Sequence, residues 1–277
     1  MEIKVTKASG IVEDLNPDKL RASLIRAGAD REQVEDIIER ILLEIEPYTN
    51  TKKIYKLAKK YLRQFNHASG LRYSLKRALF GLGPSGYPFE KYFGELLKRY
   101  GYQVNTGVLL EGKCVKHEVD VFAINENEVS VIECKYHNRP GLTTDVKIAM
   151  YVHSRIQDLK PIIASQHPEK AYKGWLVTNT RCTSDAIQYA ECTGLKIKSW
   201  RYPDNESIER MIEDKRLYPV TVLSDVKSGL IEKLIKHDII LLKDLTEMDV
   251  KMIQTLLLLP EDKAAALKKQ ADELCLC

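Results

Sequence analysis

Ile3 and Val5 alternate with polar residues in EIKVTKASGIVEDL, ASG can turn, and IVEDL can pair back as a second short strand. Helical signals follow in NPDKLRASLIRAG, where Asn16 suits an N-cap, Pro17 the first helical position and Gly28 the end. Asp30 and Gln33 then form a capping-box pattern, and Val34, Ile37, Ile38, Ile41, Leu42 and Ile45 repeat with helical period. Ile54, Leu57, Ala58, Tyr61, Leu62 and Phe65 predict another helix, and LRYSLKRALF a further one.

The pattern breaks at GLGPSGYP, residues 81–88. Gly81, Gly83 and Gly86 spell G-x-G-x-x-G, but a dinucleotide fingerprint follows a strand, and this stretch follows a helix and contains a proline. It reads as a linker. Beyond it, Phe89, Tyr92, Phe93, Leu96, Leu97 and Tyr100 predict an amphipathic helix ended by Gly101. Strands are expected at YQVNTGVLLEG, EVDVFAI, EVSVIECKY, GWLVTN and LKIKSW, and helices at TTDVKIAMYVHSRIQDLK and TSDAIQYAECTG. The order α-β-β-β-α-β-α-β predicts an α/β domain with a mixed central sheet. From about residue 204 the pattern is helical to the end, a small bundle of short helices. The expected class is therefore multi-domain α/β, with parts at 1–83, 86–203 and 204–277.

Composition narrows this modestly. The 277 residues are 44% hydrophobic and 30% charged, with a formal net charge of +4, which does not by itself establish a nucleic-acid partner. No apolar run follows a basic start, and LLLL at Leu256–Leu259 is far too short to span a bilayer, so neither signal peptide nor membrane is expected. The six cysteines form no CxxC pair, which argues against structural zinc and fits reduced thiols in a cytoplasm. The CLC tail, Cys275–Cys277, reads as a frayed end. Lys52 to Arg77 holds nine lysines and arginines and no acid, a solvated face or a stripe for phosphates.

The chemistry lies in HEVDVFAINENEVSVIECKYH. A buried charge is costly unless paired or metal-bound. Residues two apart on a strand share a face, so Glu133 and Lys135 point the same way while Cys134 and Ile132 turn to the core. Asp120, between Val119 and Val121, faces away from the apolar side, and a hairpin-like connection lets it converge with Glu133. Two hard carboxylates at one point suit Mg²⁺ or Mn²⁺. Such an ion polarises a phosphoryl oxygen, and Lys135 could orient water or stabilise the extra negative charge. His117 and His137 are further candidates for touching substrate phosphate, and Lys147 for touching DNA backbone; each also has an ordinary structural or solvated reading.

Asp120 followed by Glu133-Cys134-Lys135 resembles the D…(D/E)-x-K motif of the PD-(D/E)xK nuclease superfamily. In order, GYPFEKYFGELLKRYGYQV, HEVDVFA, VIECKYH and GWLVTNTRCTSDAIQYAECTGLKIKSW resemble the catalytic domain of Mrr-type restriction endonucleases, and archaeal Holliday-junction resolvases share part of the pattern. The resemblance implies a type IV, Mrr-like endodeoxyribonuclease with DNA as partner. It also implies that Glu90 of FEKYF joins Asp120 and Glu133 at the metal. His117, Glu118 and Val119 stand where the family often has proline or glycine.

The opening segment, VTKASGIVEDLNPDKLRASLIRAG with the helices after it, resembles the ATP-cone, a nucleotide-binding regulatory domain. Val5, Lys7 and Gly10 match its V-x-K-x-x-G opening, and Leu15, Lys19 and Ser23 its following positions; Ala8 replaces a second basic residue. The resemblance implies an adenine nucleotide, ATP or dATP, as effector, with Lys7 and Lys19 on phosphates, Val5 beside the base and Ser23 nearby. The last segment weakly resembles helix-hairpin-helix modules, but PED replaces their glycines, favouring packing or dimerisation.

The expectation is a metal-dependent DNA endonuclease tuned by ATP or dATP. Its rivals are a catalytically silent nucleotide-responsive DNA-binding regulator and a structure-selective junction-resolvase-like nuclease. A homodimer or higher oligomer is left open.

Overall fold

A computed structural model describes residues 3–7, 10–223 and 226–275. Ala8, singled out above, and the end of the CLC tail lie outside them. In the first part, β1 (Lys4–Thr6) and β2 (Val12–Asp14) form the expected hairpin. Next come α1 (Pro17–Arg26), α2 (Arg31–Glu44), β3 (Thr49–Asn50) and α3 (Thr51–Phe65). β3 pairs parallel to β1, completing a three-stranded sheet in the order β2-β1-β3. The local signals operate as read. Asn16 accepts from the Lys19 N–H, Gly28 takes φ +92° just beyond α1, and the Asp30–Gln33 capping box closes in both directions. Val5, Leu24, Ile37, Ile41, Ala58 and Leu62 fill this part's own core.

LRYSLKRALF does not form one helix. It divides into α4 (His67–Arg72) and α5 (Leu75–Phe80). The Ser74 hydroxyl donates to the Gly70 carbonyl at 3.2 Å and its N–H to Leu71 O, closing α4 from within. Leu71, Leu75, Leu79 and Leu82 pack with the following domain rather than with the first core. The GLGPSGYP turn is held as well, since the Tyr136 hydroxyl donates toward the carbonyls of Phe80 (2.8 Å) and Gly83 (3.1 Å).

The second part runs α6 (Tyr87–Arg99), β4 (Gln103–Glu111), β5 (Lys116–Ile124), β6 (Glu128–Lys135), β7 (Thr143–Thr144), α7 (Val146–Gln166), β8 (Ala171–Thr178), β9 (Arg181–Cys182), α8 (Ser184–Thr193) and β10 (Lys196–Lys198). Five strands form one mixed sheet, ordered β10-β8-β6-β5-β4. β4, β5 and β6 are antiparallel, whereas α7 and α8 are crossovers that make β6, β8 and β10 parallel. Thr143 and Thr144, expected in the helix, instead pair with Arg181 and Cys182, and Asp145 caps α7. One face of the sheet packs on α6 through Phe89, Tyr92, Phe93 and Leu96. The other packs on α7 and α8 through Val152, Ile156, Leu159, Ala186 and Ala190.

The remainder comprises α9 (Ile208–Lys215), a 3₁₀ turn (Val220–Val222), α10 (Ser228–Lys236), α11 (Leu242–Thr246), α12 (Val250–Leu257) and α13 (Glu261–Cys275). These helices join the α6-side core through Ile208, Leu234, Leu245 and Leu267, and the buried Tyr92 hydroxyl donates to Leu217 O at 2.8 Å. Among the described residues no helix is long and apolar enough to cross a membrane.

Candidate active site

β5 and β6 register Val121 against Ile132. One step further along the same register, Asp120 stands opposite Glu133. The ladder stops there because the Asp120 carboxylate takes the Cys134 N–H, at 2.7 Å. Val119 packs with the α7 side and Val121 with the α6 side, so β5 changes face at Asp120. Both valines are fully buried while Asp120 is half-buried. The convergence read from the strand pattern is present, produced by a local break in pairing rather than by simple alternation.

Glu133 is 7% exposed. One oxygen accepts from Arg155 on α7 at 2.8 Å. The other, Oε1, is buried without a hydrogen-bond partner. Burial, and then the neighbouring Asp120, push its carboxyl up to about 8 despite Arg155. Glu90, in the first turn of α6, is raised to about 7 by burial and then by Asp120 and Glu118. Burial also raises Asp120, against the pull of the Cys134 N–H. Three carboxyls thus resist ionising together in one half-buried place.

That is the electrostatic setting a cation relieves. Among the described residues no three His, Cys, Asp or Glu side chains are gathered closely enough to enclose an ion by themselves. Mg²⁺ needs no such cage, being held typically by one or two carboxylates while keeping several waters. The hard oxygen donors and the orphaned Glu133 Oε1 fit a divalent ion of this kind.

Lys135, two residues on from Glu133, is exposed at the end of β6. His137 is half-buried, its ring bonded to Thr144 at 3.1 Å, and burial followed by Lys135 lowers its pKa. His117 pairs with Asp158 on α7 at 2.8 Å, a tie that brings Asp158 down to about 2. That contact gives His117 a structural task. Lys147 is exposed on the first turn of α7. In the first part Val5 is buried, Lys7 pairs with Glu13 at 2.5 Å, Lys19 is exposed and Ser23 bonds Leu20 O.

Sequence reasoning missed Arg155 and Glu118. Arg155 sits between Ser154 and Ile156 on a helix where only Lys147 was singled out, and nothing in that spacing tells which cation reaches the sheet. Glu118 was visible beside Asp120, but its influence on Glu90 and Glu133 is a matter of distance.

A family model described as restriction endonuclease (Mrr_cat) matches residues 84–204, and one described as AF1548-like, C-terminal, matches residues 218–275. An uncharacterized protein of Archaeoglobus fulgidus (strain ATCC 49558 / DSM 4304 / JCM 9628 / NBRC 100126 / VC-16) is 36% identical over 149 residues, covering 54% of this chain and 80% of that protein. A crystal structure titled as a protein of unknown function, AF1548, is 30% identical, with a TM-score of 0.57, covering 69% of this chain and 98% of that one.

The chain belongs to the AF1548-like family. Residues 84–204 of this AF1548-like protein form a restriction endonuclease domain of Mrr type, which makes it a nuclease of the restriction-endonuclease kind. The strands and helix that carry Glu90, Asp120, Glu133 and Lys135 all lie within that match.

Proposed function

We propose that the chain is a Mg²⁺- or Mn²⁺-dependent endodeoxyribonuclease of type IV, Mrr-like character, acting in the cytoplasm. Asp120 and Glu133 would hold the metal with Glu90 beside them, and the ion would supply a polarised phosphoryl oxygen and a bound water of lowered pKa. The chain's own residues divide the remaining work. Exposed Lys135 orients the attacking water or stabilises the extra negative charge on the phosphate. The Cys134 N–H holds the Asp120 carboxylate in place. The single observation that carries this is the buried, unpartnered Glu133 Oε1 beside two other carboxyls of raised pKa.

In this scheme residues 86–203 are the nuclease. Residues 1–83 form an ATP-cone-like unit taking ATP or dATP as effector, with Val5, Lys7, Lys19 and Ser23 as the residues carried over by resemblance. Residues 204–277 are a helical buttress. The nucleotide would act through unequal affinity for two states and would not be hydrolysed.

Nicking of supercoiled plasmid with Mg²⁺ or Mn²⁺, with and without ATP or dATP, tests this against Lys135→Ala. Metal-dependent cutting lost in the variant supports it. A second reading, the silent DNA-binding regulator, draws on the Arg155–Glu133 ion pair, which can neutralise Glu133 without metal. No cutting of plain, methylated or four-way DNA in any nucleotide state would make that reading the better one.

A further inference from the structure

A cavity of about 640 Å³ lies away from the carboxylates, between the first part of the chain and the segment that follows β10. That volume is in the range of small-molecule sites, roughly 300–1,000 Å³. Its wall carries five cationic side chains, Arg26, Arg72, Lys76, Arg201 and Arg210, and three acidic ones, Asp204, Glu209 and Glu213. Two of the acids are engaged. Arg201 grips Glu209 with two bonds of 2.8 and 3.2 Å, and Glu213 accepts from the Tyr218 hydroxyl at 2.9 Å.

The cations are crowded. Lys76 lies 6.0 Å from the Trp200 ring, and burial, Arg181 and Arg201 all lower its pKa. Arg26 reaches Glu209 only at 3.9 Å, and burial, Arg201 and Arg210 disfavour its charge. A bound polyanion relieves such crowding. The same wall offers flat apolar surface. Tyr55 and Tyr73 stack at 5.3 Å with 21° between their planes. Trp200, 2% exposed, also lines the cavity, and its indole N–H has no hydrogen-bond partner.

We propose that this cavity binds a nucleoside polyphosphate, with phosphates on Arg26, Lys76 and Arg210 and the base against the Tyr55–Tyr73 pair. This rests on the reading that the chain responds to a nucleotide, and it moves the site away from the β1–β2 hairpin, where Val5 is buried and Lys7 is already paired. Phosphate suits guanidinium forks, and aromatic faces suit a base. The position also suits regulation. The Trp200 backbone N–H donates to the Thr180 carbonyl at 2.9 Å, and hydroxyl contacts run from Thr180 through Thr178 and Thr144 to His137, two residues past Lys135.

The test uses the full chain carrying Trp175→Phe, so that Trp200 is the sole tryptophan. ATP, inorganic triphosphate and a DNA duplex are titrated separately, with labelled ATP in equilibrium dialysis as a second readout. Saturable ATP binding that shifts Trp200 emission is expected, weakened about tenfold or more by Lys76→Gln and by Arg26→Gln, since each removes a charge-assisted contact. Lys263→Ala, which removes an exposed lysine of α13 outside the cavity, should leave it within about twofold. Thermal melts confirm that each variant is folded. If Lys7→Ala abolishes ATP binding while Lys76→Gln and Arg26→Gln do not, the cavity is wrong and the nucleotide reading survives. If no variant and no wild-type chain binds ATP, both fall. A duplex that takes the Lys76-dependent signal while ATP does not would make the cavity a nucleic-acid surface and overturn the proposal.

Discussion

Arg155 on α7 and Glu133 on β6 are joined by a 2.8 Å ion pair that uses one carboxylate oxygen and leaves the other buried and unpartnered. Arg155 also donates to the Glu118 carbonyl and lies over the Tyr151 ring, so it is fixed from three sides. It is positioned to balance Glu133 when no metal does. Arg155→Ala should therefore destabilise the metal-free chain by about 1–3 kcal/mol at pH 9, where Glu133 is ionised, and by less at pH 6. Urea unfolding at the two pH values checks this; an equal loss at both would make Arg155 a packing residue.

The carboxyl cluster sets a pH dependence. Glu133 titrates near 8 and Glu90 near 7 in the folded chain, against 4.5 as their ordinary value. Between about 4.5 and 8 the folded state holds protons that the unfolded state has lost, so stability must fall as pH rises through that window. In EDTA the melting temperature should decline from pH 5 to pH 8. Glu133→Gln should flatten the decline, gaining on the order of a few kcal/mol over wild type at pH 8. A wild-type profile rising with pH would contradict the raised pKa values.

Metal binding should reverse that trend. Because a ligating carboxyl must lose its proton, Mn²⁺ or Mg²⁺ added at pH 6.5 should release protons and raise the melting temperature. Asp120→Asn and Glu133→Gln should each remove most of both effects, and Glu90→Gln part of them. Proton release in weak buffer gives the reading without any cleavage assay.

Lys135 is exposed, so Lys135→Ala should change stability by less than about 0.5 kcal/mol. Its effect on DNA cleavage should be a loss of about 10²–10³-fold, the usual range for removing one group that stabilises developing negative charge. Loss of activity together with unchanged melting would separate a chemical role from a structural one.

Tyr136 ties the end of β6 to the 81–88 turn through the carbonyls of Phe80 and Gly83. Tyr136→Phe should cost about 1–2 kcal/mol and speed limited proteolysis within that turn. Unchanged cleavage there would mean that Leu79 and Leu82, both fully buried, hold the junction without it.

Much of this protein was determined locally and could be read as text. The caps at Asn16 and Asp30, the stripe Phe89–Phe93–Leu96 and the alternation around Glu133 each act over a few residues, where backbone geometry is periodic. The order of strands and helices followed from the same periods, and so did the candidates Asp120, Glu133 and Lys135, whereas Glu90 came from the family resemblance alone. The break inside LRYSLKRALF was less legible, because a serine hydroxyl bonding back to Gly70 competes with continuing the helix. Tertiary structure decided which face Asp120 takes, since Val119 and Val121 pack into different cores. It placed Arg155 as the cation at Glu133, set Lys76, Trp200 and Arg26 around one cavity, and drew Leu71–Leu82 into the core shared by α6 and the last helices. Each of these depends on contacts between residues far apart in the chain, and no local period encodes which distant side chain fills a given space.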